Sequence, residues 1–386
     1  MKTKKIIAFC FLSLAFIFSS CGGKIERHGG VDTPDAEKKL DHLVILEVFY
    51  LGSWQDGYTQ KYTDPSTGET HVSEVPGAKY QTNDTYIKLY NPTNETKYLD
   101  GLALVTSEIV TTLPFSFKEP EQDFTKDFLG VDQISMFPGN GKDHPIKPGQ
   151  TILIVASAGN HKAEVVLDEE TGEKRPGNPL SFDFSNADWE WLPEGYADGD
   201  DFEYLPDNEK VPNMVDIYNE DVQFQNVAGP FTIDPRKTDS RGIALVDLHT
   251  DTPNDPEAVK EAITNRDKSK PVYWWPYTAI QVNISNEFEG AQICIALPKA
   301  WCIDAVTMSP KSNFRWLAFP KDIDKGAFGA NVSHKTQFAY TKEELGLAIR
   351  RKHDGLKFVD NDNSSFDFET VPASLSDWQK TAPAAQ

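Results

Sequence analysis

Short runs of β-forming residues, most of them bounded by glycine, proline or asparagine, limit the fold of this chain more than any other feature. Residues 43–50 are mostly apolar, and residues 85–90 alternate apolar with polar side chains before Asn91 and Pro92. Proline has no N–H for a central ladder, so the second run ends there. Similar runs are residues 98–106, 151–156, 215–218, 242–248, 279–284, 293–297 and 303–308.

The composition agrees with a strand-rich chain. With 25 glycines and 25 prolines among 386 residues, we predict a mainly β fold with long loops. Two short helices are predicted among the loops. One begins after the N-cap residue Asp255, and the other follows the capping box of Thr341 and Glu344 and includes Ile349. No repeat or break divides residues 41–386, which we expect to form one domain.

The first 20 residues have the order of an export signal. Three lysines within residues 1–5 precede the apolar run 6–18, and two serines precede Cys21. This run is too short for a membrane-spanning helix, which needs roughly 20 residues. A cysteine in this place resembles the bacterial lipoprotein box, which implies that residues 1–20 are removed and Cys21 is lipidated. The alternative is a secreted soluble protein cut near Ser20.

Residues 21–40 are polar and lack apolar periodicity, so we predict a flexible tether with a mean reach of about 25 Å. It would hold the following domain away from a membrane. The resemblance to the lipoprotein box implies a lipid anchor in the bacterial cell envelope. Whether the domain faces the periplasm or the cell surface stays open.

Net charge limits the partners. The full chain carries a formal charge of −21, and removal of residues 1–20 takes away three lysines and no acids, which gives −24. Binding to a phosphate backbone needs a basic stripe, and the longest basic run is Arg350-Arg351-Lys352. We therefore expect no nucleic-acid partner. A cation or a basic partner fits the charge.

Two cysteines remain after processing, Cys294 and Cys302. An exported compartment permits a disulfide between them if their strands are adjacent. Two separate buried thiols fit the sequence equally well, because spacing does not establish the geometry.

Catalytic motifs are absent from the sequence. No two of the eight histidines lie three to five residues apart, so there is no helical zinc pair, and no Gly-x-Ser-x-Gly elbow occurs. We assign no catalytic residue and predict a protein that is not an enzyme. A hydrolase that uses dispersed carboxylates is the alternative.

Asp360, Asp362 and Ser364 alternate like the start of a calcium loop. The match then fails, because Ser365 stands where the loop needs glycine and Val371 where it needs glutamate. Calcium is the one cofactor that this pattern suggests, and a solvated turn is the alternative.

Four tryptophans and two aspartates are the candidate ligand contacts. Exposed indoles would stack on sugars, flat ligands or a partner's side chains, whereas buried indoles would fill the core. Both interpretations stay open at this stage, with the core favoured. The candidate residues are Trp189, Trp191, Asp200, Asp201, Trp274 and Trp275.

Residues 45–50, 84–93 and 99–104, followed by the Pro148-Gly149 turn, resemble the opening of the lamin-tail domain. The resemblance implies an immunoglobulin-like β-sandwich over about residues 41–160, elaborated by long loop insertions and a few short helices.

Three later segments, residues 298–306, 350–352 and 358–368, resemble an uncharacterised Bacteroidetes lipoprotein family, domain of unknown function 4876. The resemblance implies an outer-membrane or cell-surface setting and no known reaction. By association, it suggests a binding or accessory role beside a TonB-dependent transporter. An envelope hydrolase, or a structural or adhesive lipoprotein without a small ligand, is the alternative.

Overall fold

Strands dominate the computed structural model of the protein. It describes residues 40–80, 84–112, 115–116, 124–168, 173–191, 207–219, 240–264, 275–282, 287–310, 314–330, 340–355 and 357–378. The first strands are β1 (Val44–Phe49), β2 (Trp54–Gln55), β3 (Tyr58–Thr63), β4 (Thr70–Val75), β5 (Ala78–Lys79), β6 (Tyr86–Tyr90), β7 (Lys97–Tyr98), β8 (Leu102–Ser107), β9 (Phe115–Ser116), β10 (Phe128–Met136), β11 (Pro145–Ile146) and β12 (Thr151–Val155).

The second half of the chain continues this pattern. Its strands are β13 (Val165–Asp168), β14 (Glu173–Arg175), β15 (Trp189–Glu190), β16 (Val215–Asn219), β17 (Gly242–Asp247), β18 (Trp275–Val282), β19 (Glu287–Pro298), β20 (Cys302–Pro310), β21 (Phe328–Ala330), β22 (Leu347–Arg351) and β23 (Phe368–Pro372). The α-helices within the described residues are α1 (Pro256–Thr264) and α2 (Ser364–Asp367). No helix there is long and apolar enough to cross a membrane.

Two large sheets form the framework. The six-stranded sheet has the order β15-β12-β6-β1-β22-β23, and the nine-stranded sheet runs β21-β20-β17-β8-β10-β19-β18-β9. The ninth strand, β16, pairs with β10 beside β19. Pairing is antiparallel except between β12 and β15 and between β20 and β21. The central strands of both sheets therefore come from distant parts of the chain.

The main core lies between these sheets. Successive side chains on a strand point to opposite faces, so every second residue of β6, β8 and β17 enters this core. The six-stranded sheet contributes Ile45, Val48, Ile87, Leu89, Ile152, Ile154 and Ile349, and the nine-stranded sheet contributes Leu104, Ile243, Leu245, Val306 and Met308. The chain is thus a β-sandwich with few helices, as the sequence predicts.

Both sheets are also covered on their outer faces. On the nine-stranded sheet, Val105 and Val246 pack in one cluster with Val259 and Ile263 of α1. On the six-stranded sheet, loop residues around Phe184 cover an outer face that includes Phe49 and Tyr86. All six residues of β1 are buried, which explains its nearly continuous apolar sequence.

A bulge in β1 decides which face each of its residues occupies. The pairing of β1 with β6 shifts register between Ile45 and Glu47. Ile45 lies in the inter-sheet core, whereas Glu47 contacts Lys88 on the outer face. The bulge adds one unpaired residue to β1 between these two positions. Without it, residues 45 and 47 would lie on the same face of the sheet.

Pro372 lies in β23, which is an edge strand of the six-stranded sheet. Backbone bonds from Ala373 N to Gly346 O and from Lys352 N to Asp367 O fix which residues of β23 face β22. By alternation, residue 372 faces away from β22, where its N–H would be unpaired. Proline has no N–H, so this edge does not offer a full template for another strand.

The helix predicted after Asp255 is confirmed, because α1 begins at Pro256 and Asp255 Oδ1 accepts a hydrogen bond from Ala258 N (3.1 Å). The helix predicted after Thr341 is wrong. Its capping box forms, but it caps only the 3-10 turn Lys342–Glu344, and the next residues form β22. Ile349 is buried opposite Val48, so sheet pairing determines the structure of this segment.

Candidate functional site

The three segments that resemble the lipoprotein family meet between the two sheets. Asp304 lies on β20, Arg351 on β22, and Asp360 in the loop before α2. The Nη2 atom of Arg351 is 2.7 Å from both carboxylate oxygens of Asp304, and its Nη1 atom is 3.3 Å from Asp360 Oδ1. The side chain of Arg351 is 1% exposed. This inter-sheet ion cluster (His42, Asp304, Arg351 and Asp360) therefore connects the nine-stranded sheet to the six-stranded sheet.

Backbone groups complete the contacts of the ion pair. Asp304 Oδ2 accepts a hydrogen bond from Ile45 N at 2.6 Å, and Arg351 Nε donates to Ile45 O at 3.2 Å. Arg351 Nη1 also donates to Val359 O at 3.1 Å, and the guanidinium lies 4.7 Å from the ring centroid of Phe368. Every nitrogen of the guanidinium thus has a partner within the protein. This arrangement fits a structural role rather than ligand binding.

His42 occupies the outer end of the cluster. Its Nε2 atom is 3.6 Å from Asp360 Oδ2, and its Nδ1 atom is 3.1 Å from Asp41 Oδ1. Burial opposes the charged imidazole, but the hydrogen bond to Asp360 and the charge of Asp304 outweigh it and raise the pKa of His42. The side chains of His42 and Arg351 thus lie against the two buried carboxylates.

The calcium pattern is not supported by the geometry. The carboxylate of Asp360 pairs with Arg351 and His42, and the hydroxyl of Ser364 donates to Asp324 Oδ2 at 2.6 Å. Asp362 adopts a left-handed backbone with φ of 51° in the turn between them. Throughout the described ranges, no three His, Cys, Asp or Glu side chains are placed to hold a metal ion. The alternating oxygens of residues 360–364 serve the turn and the ion cluster.

Asp324 is a further buried carboxylate, and it lies beside this turn. It accepts hydrogen bonds from Ser364 N at 2.9 Å and from Gly326 N at 3.2 Å. Burial nevertheless raises the pKa of Asp324 to about 6. The carboxyl therefore titrates in the folded protein at a higher pH than in the unfolded chain.

Two of the candidate tryptophans are core residues. Trp189 makes edge-on contacts with Phe137 and His144, at ring-centroid distances of 5.1 and 4.7 Å. Trp191 is fully buried, and its Nε1 atom donates to Asp216 Oδ1 at 2.8 Å. Neither indole offers an exposed face to a ligand, so the core-filling interpretation fits both.

The other candidate ligand contacts are not described by the structure. Asp200, Asp201 and Trp274 lie outside the described residues, as does the side chain of Trp275 at the start of β18. Ligand binding at these positions stays a prediction. Cys21 and the tether, except Leu40, also lie outside the described residues.

No disulfide joins Cys294 and Cys302. Their strands, β19 and β20, are separated in the sheet by β17, β8 and β10, so the alternative of two separate thiols fits the structure. Cys302 Sγ instead lies 3.6 Å from Asp304 O, and burial raises the pKa of the Cys302 thiol well above its usual value.

A second ionic group lies on the outer face of the six-stranded sheet. Glu47 is 3.1 Å from Lys88 Nζ and 3.1 Å from Arg350 Nη1, and Asp377 approaches both cations. We call Glu47, Lys88, Arg350 and Asp377 the outer-face cluster. Sequence reasoning missed it, although a single glutamate within the apolar run 43–50 was a signal.

Comparisons with known proteins agree with the earlier resemblance. The model of a family described as "Protein of unknown function (DUF4876)" matches residues 147–374. The crystal structure of a DUF4876 family protein from Bacteroides thetaiotaomicron VPI-5482 is similar, with a TM-score of 0.53 and 18% identity. The match covers 88% of this chain and 74% of that one, and at this identity it shows the fold alone. No curated protein matches the chain.

The Arg351–Asp304 pair can be tested with a double-mutant cycle. Arg351→Met leaves Asp304 buried without its cation, so we expect the free energy of unfolding to fall by about 3–5 kcal/mol. Asp304→Asn keeps an acceptor for Ile45 N, and the double variant should lose less than the sum of the single variants. Denaturant unfolding followed by tryptophan fluorescence measures all four proteins. Lys342→Ala, which removes an exposed pair with Asp56, is the control and should behave like the wild type. Additive losses would contradict the pairing.

The raised pKa of Asp324 predicts that the stability of the protein depends on pH. The folded pKa of Asp324, about 6, exceeds the ordinary aspartate pKa of 3.8, so the proton binds more tightly to the folded protein. The resulting stabilisation is present below pH 3.8 and is lost as pH rises through about 6. Relative to Asp324→Asn, the wild type should lose up to about 3 kcal/mol of unfolding free energy between pH 4 and pH 7. The readout is denaturant unfolding of both proteins across this range, and a constant difference between them would contradict the assignment.

Proposed function

The chain belongs to the DUF4876 family, and from that premise we propose that it is an outer-membrane lipoprotein that acts as a binding or accessory component of the cell envelope. Cys21 carries the lipid, and residues 22–40 are the tether. The domain that follows binds a nutrient, a polymer or a partner protein. A TonB-dependent transporter is the partner class suggested by association.

The lipoprotein box carries this proposal. Cys21 follows a short apolar run and two serines, as the resemblance requires. A single acyl chain binds a membrane only reversibly, because each buried methylene contributes about 0.8 kcal/mol, so stable anchoring needs more than one chain. Strand β1 begins at Val44, soon after the tether. The order of signal, cysteine, tether and sandwich suits a domain held beside a membrane.

The lamin-tail-like part belongs to the same proposal. Its characteristic residues fall on β1, β6 and β8, with the Pro148-Gly149 turn before β12. In the six-stranded sheet β1 lies between β6 and β22, and in the nine-stranded sheet β8 lies between β17 and β10. Strands of the later half are therefore hydrogen-bonded to this part. This pairing supports one elaborated domain over residues 41–386.

The pairing of Glu47, Asp304 and Asp360 argues against a catalytic role for these three carboxylates. Glycosidases hold two carboxyl groups about 5–10 Å apart across an accessible site. Glu47, Asp304 and Asp360 are buried instead, and each lies against at least one arginine or lysine. A carboxylate that already neutralises a buried cation is a poor acid or base for a substrate.

Lipid anchoring is tested by substitution of Cys21 in a Bacteroidetes host. We expect Cys21→Ser to abolish the acyl mass on the mature protein and to move it from the membrane fraction to the soluble fraction. Cys10→Ser, within the predicted signal, is the matched control and should leave both readouts unchanged. Protease digestion of intact cells then reports which side of the outer membrane the domain faces. Membrane retention of a Cys21→Ser protein that has lost both residues 1–20 and its acyl mass would overturn the anchor.

The accessory role is tested by purification of the native lipoprotein in mild detergent, followed by mass spectrometry. We expect an outer-membrane transporter in near-stoichiometric amount, and its loss from the Cys21→Ser preparation. Recovery of the lipoprotein alone would contradict the accessory role. Cleavage of glycans or peptides by the purified protein would favour the hydrolase instead.

A further inference from the structure

Three charged residues lie side by side on the outer face of the six-stranded sheet. Glu47 on β1 is paired in register with Lys88 on β6 and with Arg350 on β22. Glu47 and Lys88 are both 0% exposed. Two cations against one carboxylate leave this face with one unbalanced positive charge. Lys88 is fully buried, whereas the side chain of Arg350 is 29% exposed, so a second carboxylate beside them offsets a charge that solvent screens only in part.

Asp377 supplies that carboxylate from residues 373–378, which we call the covering segment. Its Oδ1 atom is 2.6 Å from Lys88 Nζ, and its Oδ2 atom is 2.7 Å from Arg350 Nη2. Burial alone would raise the pKa of Asp377, but the hydrogen bond from Lys88 and the charges of Lys88 and Arg350 lower it. The carboxylate is therefore charged near neutral pH.

The covering segment lies on the sheet in the manner of a bound peptide. Residues 373–378 form no strand, and a backbone bond from Ala373 N to Gly346 O (2.9 Å) ties the segment to the start of β22. Beyond that point, Ser374 N donates to the Tyr86 hydroxyl at 3.0 Å, and Lys88 Nζ donates to Ser374 O.

Apolar packing completes the attachment of the covering segment. Leu375 and Trp378 pack against the cluster that contains Phe49 and Phe184. Trp378 Nε1 donates to Asp188 Oδ2 at 2.6 Å. Apart from the bond at Ala373, each of these contacts to the rest of the protein involves at least one side chain. Segments held in this way open at lower free energy than paired strands.

We propose that this outer face is a docking site for an acidic peptide segment of a partner protein, and that the covering segment occupies it until such a peptide replaces it. The Lys88–Arg350 pair recognises the peptide carboxylate, and the apolar cluster around Phe49 takes a neighbouring aromatic side chain. A neutral peptide is rejected because it leaves Lys88 and Arg350 with only Glu47. The site does not depend on the lipid anchor.

Intramolecular competition sets the affinity that an experiment would detect. A segment on a short linker competes at an effective concentration of about millimolar. The wild type therefore binds an external peptide weakly, and weakening the covering segment exposes the site. Asp377→Asn removes the carboxylate and leaves Leu375 and Trp378 in place.

The test uses a fluorescein-labelled peptide with the sequence of residues 373–378, Ala-Ser-Leu-Ser-Asp-Trp, and a second peptide with Asn in place of Asp. Fluorescence anisotropy measures binding to the purified full chain. We expect the Asp peptide to bind the Asp377→Asn protein roughly tenfold more tightly than it binds the wild type. We also expect the Asp377→Asn protein to bind the Asp peptide roughly tenfold more tightly than the Asn peptide. Ser376→Ala alters the exposed neighbour of Asp377 and should match the wild type. The proposal would be overturned if the Asp377→Asn protein bound both peptides with equal affinity. It would also be overturned if the Asp peptide bound the wild type and the Asp377→Asn protein with equal affinity.

A second measurement uses the wild type, so it does not depend on folding of the variant. Hydrogen exchange is followed with and without excess Asp peptide. We expect the amide of Ser374, which donates to Tyr86, to exchange faster with the peptide present, while amides of β1 are unchanged. Unchanged exchange at Ser374 in saturating peptide would mean that the covering segment is a fixed part of the fold.

Discussion

The ion pair between Arg351 and Asp304 determines how the two sheets of this sandwich are aligned. Apolar contacts between sheets are not directional, whereas a guanidinium held against both oxygens of a carboxylate has a defined geometry. Asp304 also accepts the Ile45 amide, and Arg351 donates to the Ile45 carbonyl. The central strand of one sheet is thus fixed to a strand of the other. His42 and Asp360 extend the pair.

Most strands of the two large sheets follow from local sequence, because period-two alternation and continuous apolar runs reflect burial on one or two faces. Strand β10 was not predicted from the sequence, because Asp132 and Ser135 interrupt its apolar pattern. Both are satisfied by distant residues: the Thr106 hydroxyl donates to Asp132, and the Ser135 hydroxyl donates to Asp216 at 2.9 Å. Strand β22 resembles a helix for a related reason, because its capping box is local and its strand partners are not.

The sites show the same division between local and distant information. The alternating oxygens of residues 360–364 suggest calcium when read alone, but the cations that use Asp360 come from Arg351 and His42. The outer-face cluster depends on a bulge in β1 and on a segment about 330 residues further along the chain. Sequence alone identifies such charges but not their partners. The family segments nevertheless indicated where the buried ions lie, because all three of them meet at Arg351.

If the Arg351–Asp304 pair joins the sheets, they should unfold as one cooperative unit. Native-state hydrogen exchange in low denaturant measures this most directly. We predict that the Ile45 amide, the paired amides of β22 and those of β17 exchange with the same free energy, equal to that of global unfolding. Exchange of β1 and β22 through a separate opening, at clearly lower free energy than β17, would contradict it.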